Sequence, residues 1–149
     1  MRITDALVAE HTIFLSVFDQ IERVLPSLTT PAEIRTMARV VEGMLGSHAE
    51  TETNMAYLAL DHALQEKGHL ERMHEDHHEI DARLRGVPTA KTCAEGRRLL
   101  QAALHSAREH FRLEEKFVFP LLEKVLEPET LEELGVAWRQ RLAVEEPVA

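Results

Sequence analysis

Residues 30–52 read TPAEIRTMARVVEGMLGSHAETE, and this stretch carries both the fold and the chemistry of the chain. Thr30 is suited to cap a helix, and Glu33 stands where it completes a capping box. After Glu33, apolar residues recur every three or four positions, which is the spacing of one face of an α-helix. The same face continues through His48 and Glu52, so two polar groups occupy positions where core residues are expected.

Proline, glycine and capping residues divide the whole chain into five predicted helices. Their approximate bounds are residues 4–25, 31–67, 69–85, 92–126 and 128–143. Thr4 is expected to cap the first helix, and Pro120 to kink or break the fourth. No alternating apolar and polar run is long enough for a strand, so the fold class is all-α. We expect a single domain over residues 1–149, in which four long helices (about 4–126) form an antiparallel up-down-up-down bundle and a short C-terminal fifth helix (about 128–144) is appended.

Composition narrows the class of protein. The chain has 149 residues, a formal charge of −9, nine histidines and one cysteine. The acidic balance argues against a nucleic-acid partner, whose phosphates need a basic surface. The single cysteine, Cys93, excludes a disulfide framework and a cysteine-based zinc finger. No apolar run approaches the ~20 residues of a membrane span, and residues 1–11 lack the pattern of a secretory signal. We therefore expect a cytoplasmic protein with neither a nucleic-acid nor a membrane partner.

Each of the four long predicted helices has an apolar stripe that is interrupted by histidine or glutamate. The interrupting residues are His11, His48, Glu52, His62, His77, His110 and Glu114. His48 and Glu52 lie one helical turn apart on one face, and so do His110 and Glu114. Burying such groups among apolar side chains is costly unless they share cations. Six of these seven residues, all except His62, are candidate donors to shared cations. Imidazole and carboxylate donors suit iron, manganese or zinc, and six of them suit two carboxylate-bridged metals better than one tetrahedral zinc.

The phase of the stripes also places the remaining polar candidates. His74 flanks the stripe of the third helix and stays open as a further ligand, whereas His78 is expected to lie in solvent. His62 is on the stripe of the second helix but roughly 21 Å from the first seam histidine of that helix, so it is expected to close the far end of the bundle. Tyr57 is expected to face away from the stripe, and Glu115 to be a solvated charge.

The ordered motifs resemble those of the hemerythrin-like family, the HHE cation-binding domains. They are His11, then His48-xxx-Glu52, then His77, then His110-xxx-Glu114 with the helix ending EEKFVFPLL. The resemblance covers about residues 4–126 and implies an antiparallel four-helix bundle that holds a non-haem di-iron centre. Oxygen-carrying members have a HxxxH pair on the third helix and HxxxxD on the fourth. This chain has Met73 at the first position of that pair, and its fourth-helix carboxylate is Glu114.

The resemblance also implies a ligand set and cofactors. The implied ligands are His11 and His48 on one metal ion, His77 and His110 on the other, Glu52 and Glu114 as bridges, and His74 as an open fifth histidine. The implied cofactors are two non-haem iron ions with an oxo or hydroxo bridge, and zinc or manganese are the alternatives.

The departures from the oxygen carriers favour a protein that binds or senses O₂, NO or peroxide. An apolar wall is expected to limit the access of water and protons and to favour binding over turnover; its members are Phe14, Phe18, Ile80, Phe117 and Leu121. The alternatives are a di-iron enzyme, acting as a peroxidase, as an oxidase or in NO reduction, and an iron-storage or zinc-binding domain without a redox role. Any protein partner is left unknown, and both a monomer and a homodimer remain open. The fifth helix is expected to cap the bundle, with dimerisation as the alternative.

Overall fold

The computed structural model describes residues 1–64 and 70–144, and these residues form helices with no strand among them. The helices are α1 (Ile3–Val24), α2 (Pro31–Thr51), α3 (Leu58–Leu64), α4 (Glu71–Gly86), α5 (Cys93–Leu113), α6 (Phe119–Val125) and α7 (Pro128–Val144). A π-helical stretch, Glu52–Tyr57, joins α2 to α3, and another, Glu114–Val118, joins α5 to α6. The four rods α1, α2–α3, α4 and α5–α6 form the predicted antiparallel bundle, and α7 is appended to it.

Of the helix caps predicted at Thr30 and Thr4, the structure confirms the first and not the second. The Thr30 hydroxyl accepts a hydrogen bond from the Glu33 N–H at 3.3 Å, and the Thr30 N–H donates to Glu33 Oε2 at 2.9 Å, which confirms the capping box. The prediction that Thr4 caps the first helix is wrong, because α1 begins at Ile3 with Arg2 at the cap position. Thr4 is buried, and its hydroxyl donates instead to Glu123 at 2.7 Å. The predicted boundary between the second and third helices falls on residues 65–69, outside the described residues.

Each of the two π-helical stretches shifts the buried face of its own rod, α2–α3 or α5–α6, by one position. A π turn contains more residues than an α turn, so the residues beyond it no longer follow the 3.6-residue period. After Glu114 the buried residues are Val118 and Leu122, whereas Phe117 is 57% exposed. The prediction that Phe117 belongs to an inner wall is therefore wrong, and Leu121 is only half-buried.

The same shift follows Glu52 in the second rod. Ala56 and Leu60 are fully buried, one position beyond the residues that the predicted stripe placed inside. The prediction that His62 lies on the inner face is wrong, because its side chain is exposed. Pro120 accounts for part of the distortion in the other rod, since it leaves the carbonyl four residues earlier without its helical donor.

Two apolar clusters form the core, one toward each end of the bundle. The first cluster contains the later half of α1, most of α2 and α5, and the later half of α4. The second cluster contains the start of α1, the residues after each π-helical stretch, the start of α4 and Leu131 of α7. Apart from His62, the polar residues singled out on the stripes lie where each rod passes from one cluster to the other, in a layer between them.

Helix α7 covers the end of the second cluster. Leu131 is buried there, and Leu134 and Trp138 pack against the cluster from the same helix. A side chain at Gly135 would collide with the backbone carbonyl of Met1, so glycine permits the close approach of α7 to the start of α1. This packing is the predicted capping arrangement. Among the described residues, no helix is both long and apolar enough to cross a membrane.

Candidate metal centre

Four histidines and two glutamates, drawn from all four rods, meet in the layer between the two clusters. His11, Glu52 and Glu114 have no exposed surface, and His48 and His110 are each 2% exposed. His77 is the most open of the six, with 15% of its side chain exposed. These six residues are the ones that the interrupted stripes singled out, and the structure brings all of them together.

The donor atoms of these residues form two overlapping groups, and within each group all donor atoms lie within 4.8 Å of one another. The members of the first group are His11, His48, Glu52 and Glu114, and those of the second are His77, His110, Glu52 and Glu114. Both groups contain both glutamates. A pair of cations held by the two groups would therefore share the two carboxylates.

In the first group, imidazole nitrogens lie close to one another and to carboxylate oxygens. The Nε2 atoms of His11 and His48 are 3.0 Å apart, and His48 Nε2 is 2.9 Å from Glu52 Oε1. His11 Nε2 lies 3.4 Å from Glu114 Oε2. Two ring nitrogens that face each other at this distance are the arrangement expected of ligands that converge on one ion.

The second group is similar, but more of its donor atoms lack a hydrogen-bond partner. His77 Nε2 lies 3.2 Å from Glu52 Oε2, and His110 Nε2 lies 3.4 Å from Glu114 Oε2. Neither contact is oriented as a hydrogen bond, so both nitrogens and both of these oxygens are buried without a hydrogen-bond partner. Buried polar atoms without partners are costly, and a cation placed among them would satisfy all four. The donor set therefore fits metal ions.

Three outer carboxylates hold the imidazole rings in place. Each accepts a hydrogen bond from a histidine Nδ1–H: Glu10 from His48 at 2.9 Å, Glu115 from His11 at 2.9 Å, and Asp76 from His110 at 3.4 Å. A ring that donates through Nδ1 keeps the lone pair of Nε2 free for a metal, and such partners orient metal-binding histidines in general. The prediction that Glu115 is only a solvated charge is wrong, although 42% of its side chain is exposed.

Burial and mutual charge shift the pKa values of these groups. Burial acts to raise the pKa of Glu52, but the charge of His48 and the close approach of the His11 and His48 imidazoles lower it well below its usual value. Burial lowers the pKa values of His11 and His48, yet the nearby carboxylates raise them to about 9 and about 10. Burial and the charge of Glu52 raise the pKa of Glu114 to about 7. Burial lowers the pKa of His110 to about 4, so without metal the protons are held on the side of His11 and His48.

Tyr57 is a member of the site that its sequence position does not reveal. Its side chain is 1% exposed, and its hydroxyl donates to Glu114 Oε1. Its ring stacks on His77, with 5.8 Å between centroids, and meets the ring of His74 edge-on. Burial and the negative charges of Glu52 and Glu114 raise the pKa of the phenol, so it keeps its proton. The prediction that Tyr57 faces away is wrong, because the π-helical stretch turns the fifth residue after Glu52 inward.

The other histidines of the third rod lie at the margin. His74 is half-buried against Tyr57 and belongs to neither donor group, so its role as a ligand stays a prediction. His78 is exposed, as expected.

Comparison with known families agrees with this site. Residues 2–122 match the family model described as the Hemerythrin HHE cation binding domain. Comparisons with curated proteins and with solved structures gave no significant match. The matched region includes α1 to α5, both π-helical stretches and all six converging residues. The chain therefore belongs to the hemerythrin HHE cation-binding family.

Proposed function

We propose that this protein is a non-haem di-iron protein that binds or senses O₂, NO or peroxide. The observation that carries the proposal is the pair of donor groups that share two buried glutamates. Six donors from nitrogen and oxygen alone suit a pair of iron ions, because iron accepts imidazole and carboxylate together. Iron bound there would supply a redox-active ion with room for a small ligand.

Aromatic side chains around the first group support binding rather than rapid turnover. Phe111 stacks on His11 with 3.9 Å between ring centroids, and Phe14 and Phe119 also contact the two histidines of this group. These rings exclude water and so limit proton delivery from solvent. Phe14 belongs to the wall that the sequence predicted, and Phe111 and Phe119 replace Phe117 in it.

A di-iron enzyme that acts on peroxide or NO is the second candidate, and Tyr57 is the observation that favours it. Its hydroxyl donates to Glu114 Oε1, and its side chain is 1% exposed, so it keeps a proton within the site. A proton donor in this position is what a peroxide-consuming or NO-reducing reaction would need. The cytoplasmic location predicted from the sequence, the oligomeric state and any protein partner stay predictions.

Metal analysis of protein made in iron-replete cells, together with its visible spectrum, tests the proposal. We expect about two iron ions per chain, as in other carboxylate-bridged bundles, and a spectrum that changes on addition of O₂, NO or peroxide. His48→Ala should lose the metal, whereas His62→Ala should keep it, because His62 lies on the same rod but is exposed. One zinc ion per chain, or a metal content that His48→Ala leaves unchanged, would contradict the proposal. Steady consumption of peroxide or NO with an added reductant would favour the enzyme.

A further inference from the structure

A cavity of about 190 Å³ lies between α2, α4 and α5, against the candidate metal centre. Three of the six converging residues, His48, His77 and His110, form part of its wall. The cavity reaches the surface beside Gly46 and His78, both of which are exposed. It therefore connects solvent with the side of the centre where His77 is partly open.

The volume of the cavity exceeds what a diatomic ligand requires. One water molecule occupies ~30 Å³ in the liquid, and an apolar cavity of about 150 Å³ is enough to bind benzene. A space of about 190 Å³ therefore accommodates an organic molecule of benzene size, with little room beyond that. O₂, NO and hydrogen peroxide would fill only a small part of it.

The lining of the cavity is mostly apolar. Ile80, Leu84, Ala107 and Phe111 line it, and each is at most 5% exposed. Water that filled such a space would have few hydrogen-bond partners, so an apolar molecule is favoured there. The polar groups of the buried part are the imidazoles on the side of the candidate centre, where His77 Nε2 has no hydrogen-bond partner.

The rim of the cavity disfavours anions. Glu42 of α2 and Asp81 of α4 both line it. Arg85 pairs with Asp81 at 2.9 Å and lies 3.8 Å from Glu42, so one cation is matched against two carboxylates. An anionic ligand would meet residual negative charge at the rim, whereas a neutral molecule would not.

We propose that this cavity binds a small neutral organic molecule with an apolar body of about benzene size and one hydroxyl-bearing end, which points toward the candidate metal centre. Phenols and short alkyl hydroperoxides share this chemistry. The inference rests on the proposed function only for what the hydroxyl end meets when metal is bound. The apolar part of the pocket requires no metal.

Two glycines on α2 provide a matched pair of variants. A Cβ at Gly46 or at Gly43 would meet nothing within 4 Å, so a larger side chain at either position enters open space. Only Gly46 lines the cavity. Both substitutions also replace a poor helix former in a helix interior, so both variants are expected to fold at least as well as the wild type.

Titration of the metal-free full chain with phenol and with tert-butanol, followed by calorimetry and by methyl NMR, tests the inference. We expect both probes to shift the methyl signals of Ile80 and Leu84, and benzoate to bind at least tenfold more weakly than phenol. Gly46→Leu should weaken phenol binding at least tenfold, whereas Gly43→Leu should leave it unchanged. Equal phenol affinity in Gly46→Leu and the wild type, or no shift of these methyl signals, would overturn the inference.

The same titration on iron-loaded protein separates the two proposals. If the protein takes up no iron but still binds phenol, the proposed function fails and the pocket stands. If the protein takes up iron but phenol neither binds nor changes its visible spectrum, the pocket fails and the proposed function stands. If tert-butyl hydroperoxide changes the spectrum of the loaded protein at lower concentration than hydrogen peroxide does, and Gly46→Leu removes that difference, the organic group is recognised by the cavity.

Discussion

The two halves of the candidate centre use the same residue types but differ in how tightly the protein encloses them. In the first half, His11 and His48 are at most 2% exposed, and each donates to an outer carboxylate at 2.9 Å. In the second half, His77 is 15% exposed, and the outer carboxylate of His110 is 3.4 Å away. We therefore call the first the closed half and the second the open half, and we expect the closed half to hold an ion more firmly.

The largest effect is expected from the residues that the two halves share. Glu52→Ala removes a carboxylate that belongs to both donor groups, so we expect both ions to be lost together, with affinity reduced by more than the roughly 10–100-fold that loss of an outer partner typically costs. Glu50→Ala, on the same rod but exposed, is the control. Metal content after dialysis measures the effect. A variant at Glu52 that keeps one ion would show that the halves bind metal independently.

The outer carboxylates test the contrast between the halves directly. Glu10→Ala removes the hydrogen-bond acceptor of His48 Nδ1 in the closed half, and Asp76→Ala removes that of His110 Nδ1 in the open half. Loss of such a partner typically weakens metal binding about 10–100-fold. We expect the larger loss for Glu10→Ala, because its hydrogen bond is shorter and its half is more buried. Competition with a chelator measures both affinities; equal losses would remove the distinction between the halves.

Tyr57→Phe is expected to change how the open half responds to an added ligand without removing its metal ion. The ring can still stack on His77, but Glu114 Oε1 loses its buried donor, which should lower the free energy of unfolding of the metal-free protein by about 1–3 kcal/mol. In iron-loaded protein we expect an unchanged metal content and an altered visible spectrum on ligand addition. Urea unfolding and optical titration are the measurements. Loss of iron from this variant would contradict the placement of Tyr57 outside the ligand set.

A parallel variant, His74→Phe, addresses the fifth-histidine prediction. Its ring would keep the edge contact with Tyr57, and His74 belongs to neither donor group. If metal content falls in this variant, His74 is a ligand of the loaded protein. If metal content is unchanged, the ligand set is limited to the six converging residues.

The smallest effect is expected far from both halves, at the start of α2. The hydrogen bonds from Thr30 and Thr29 lower the pKa of Glu33 below its usual value of 4.5. A carboxyl group whose folded pKa is lowered stabilises the protein above its unfolded pKa, and this contribution disappears as pH falls through the folded value. Glu33→Ala should therefore be slightly less stable than the wild type at pH 7, by a difference that shrinks as the pH falls below 4.5. Metal affinity should be unchanged, and a change would show that the helix start is coupled to the centre.

The sequence predicts the candidate ligands better than it predicts their surroundings, for a local reason. His48 and Glu52, like His110 and Glu114, lie before the point at which each rod leaves the 3.6-residue period. Up to that point one helical phase describes the buried face. Beyond it the phase shifts by one position, so the regular period places Phe117 inside although it is exposed.

Contacts between rods are the second feature that sequence spacing does not encode. Glu115 follows a ligand candidate on its own helix, and local phase alone places it in solvent. It reaches His11 because α1 and the second π-helical stretch lie side by side at that level. The cavity beside His77 likewise depends on the spacing between three helices, so the residue pattern along one helix does not predict it.

The π-helical stretch after Glu52 has a consequence for chain length. A helix that contains one such stretch carries about one residue more than a regular α-helix between the same flanking contacts. Deleting Thr53 would place Ala56 and Leu60 at the positions that the regular period puts inside, so the downstream packing could persist. Members of the family that differ by a single-residue gap at this point would then share one core. Insertions and deletions, which are usually confined to loops, would be tolerated here in the middle of a buried helix.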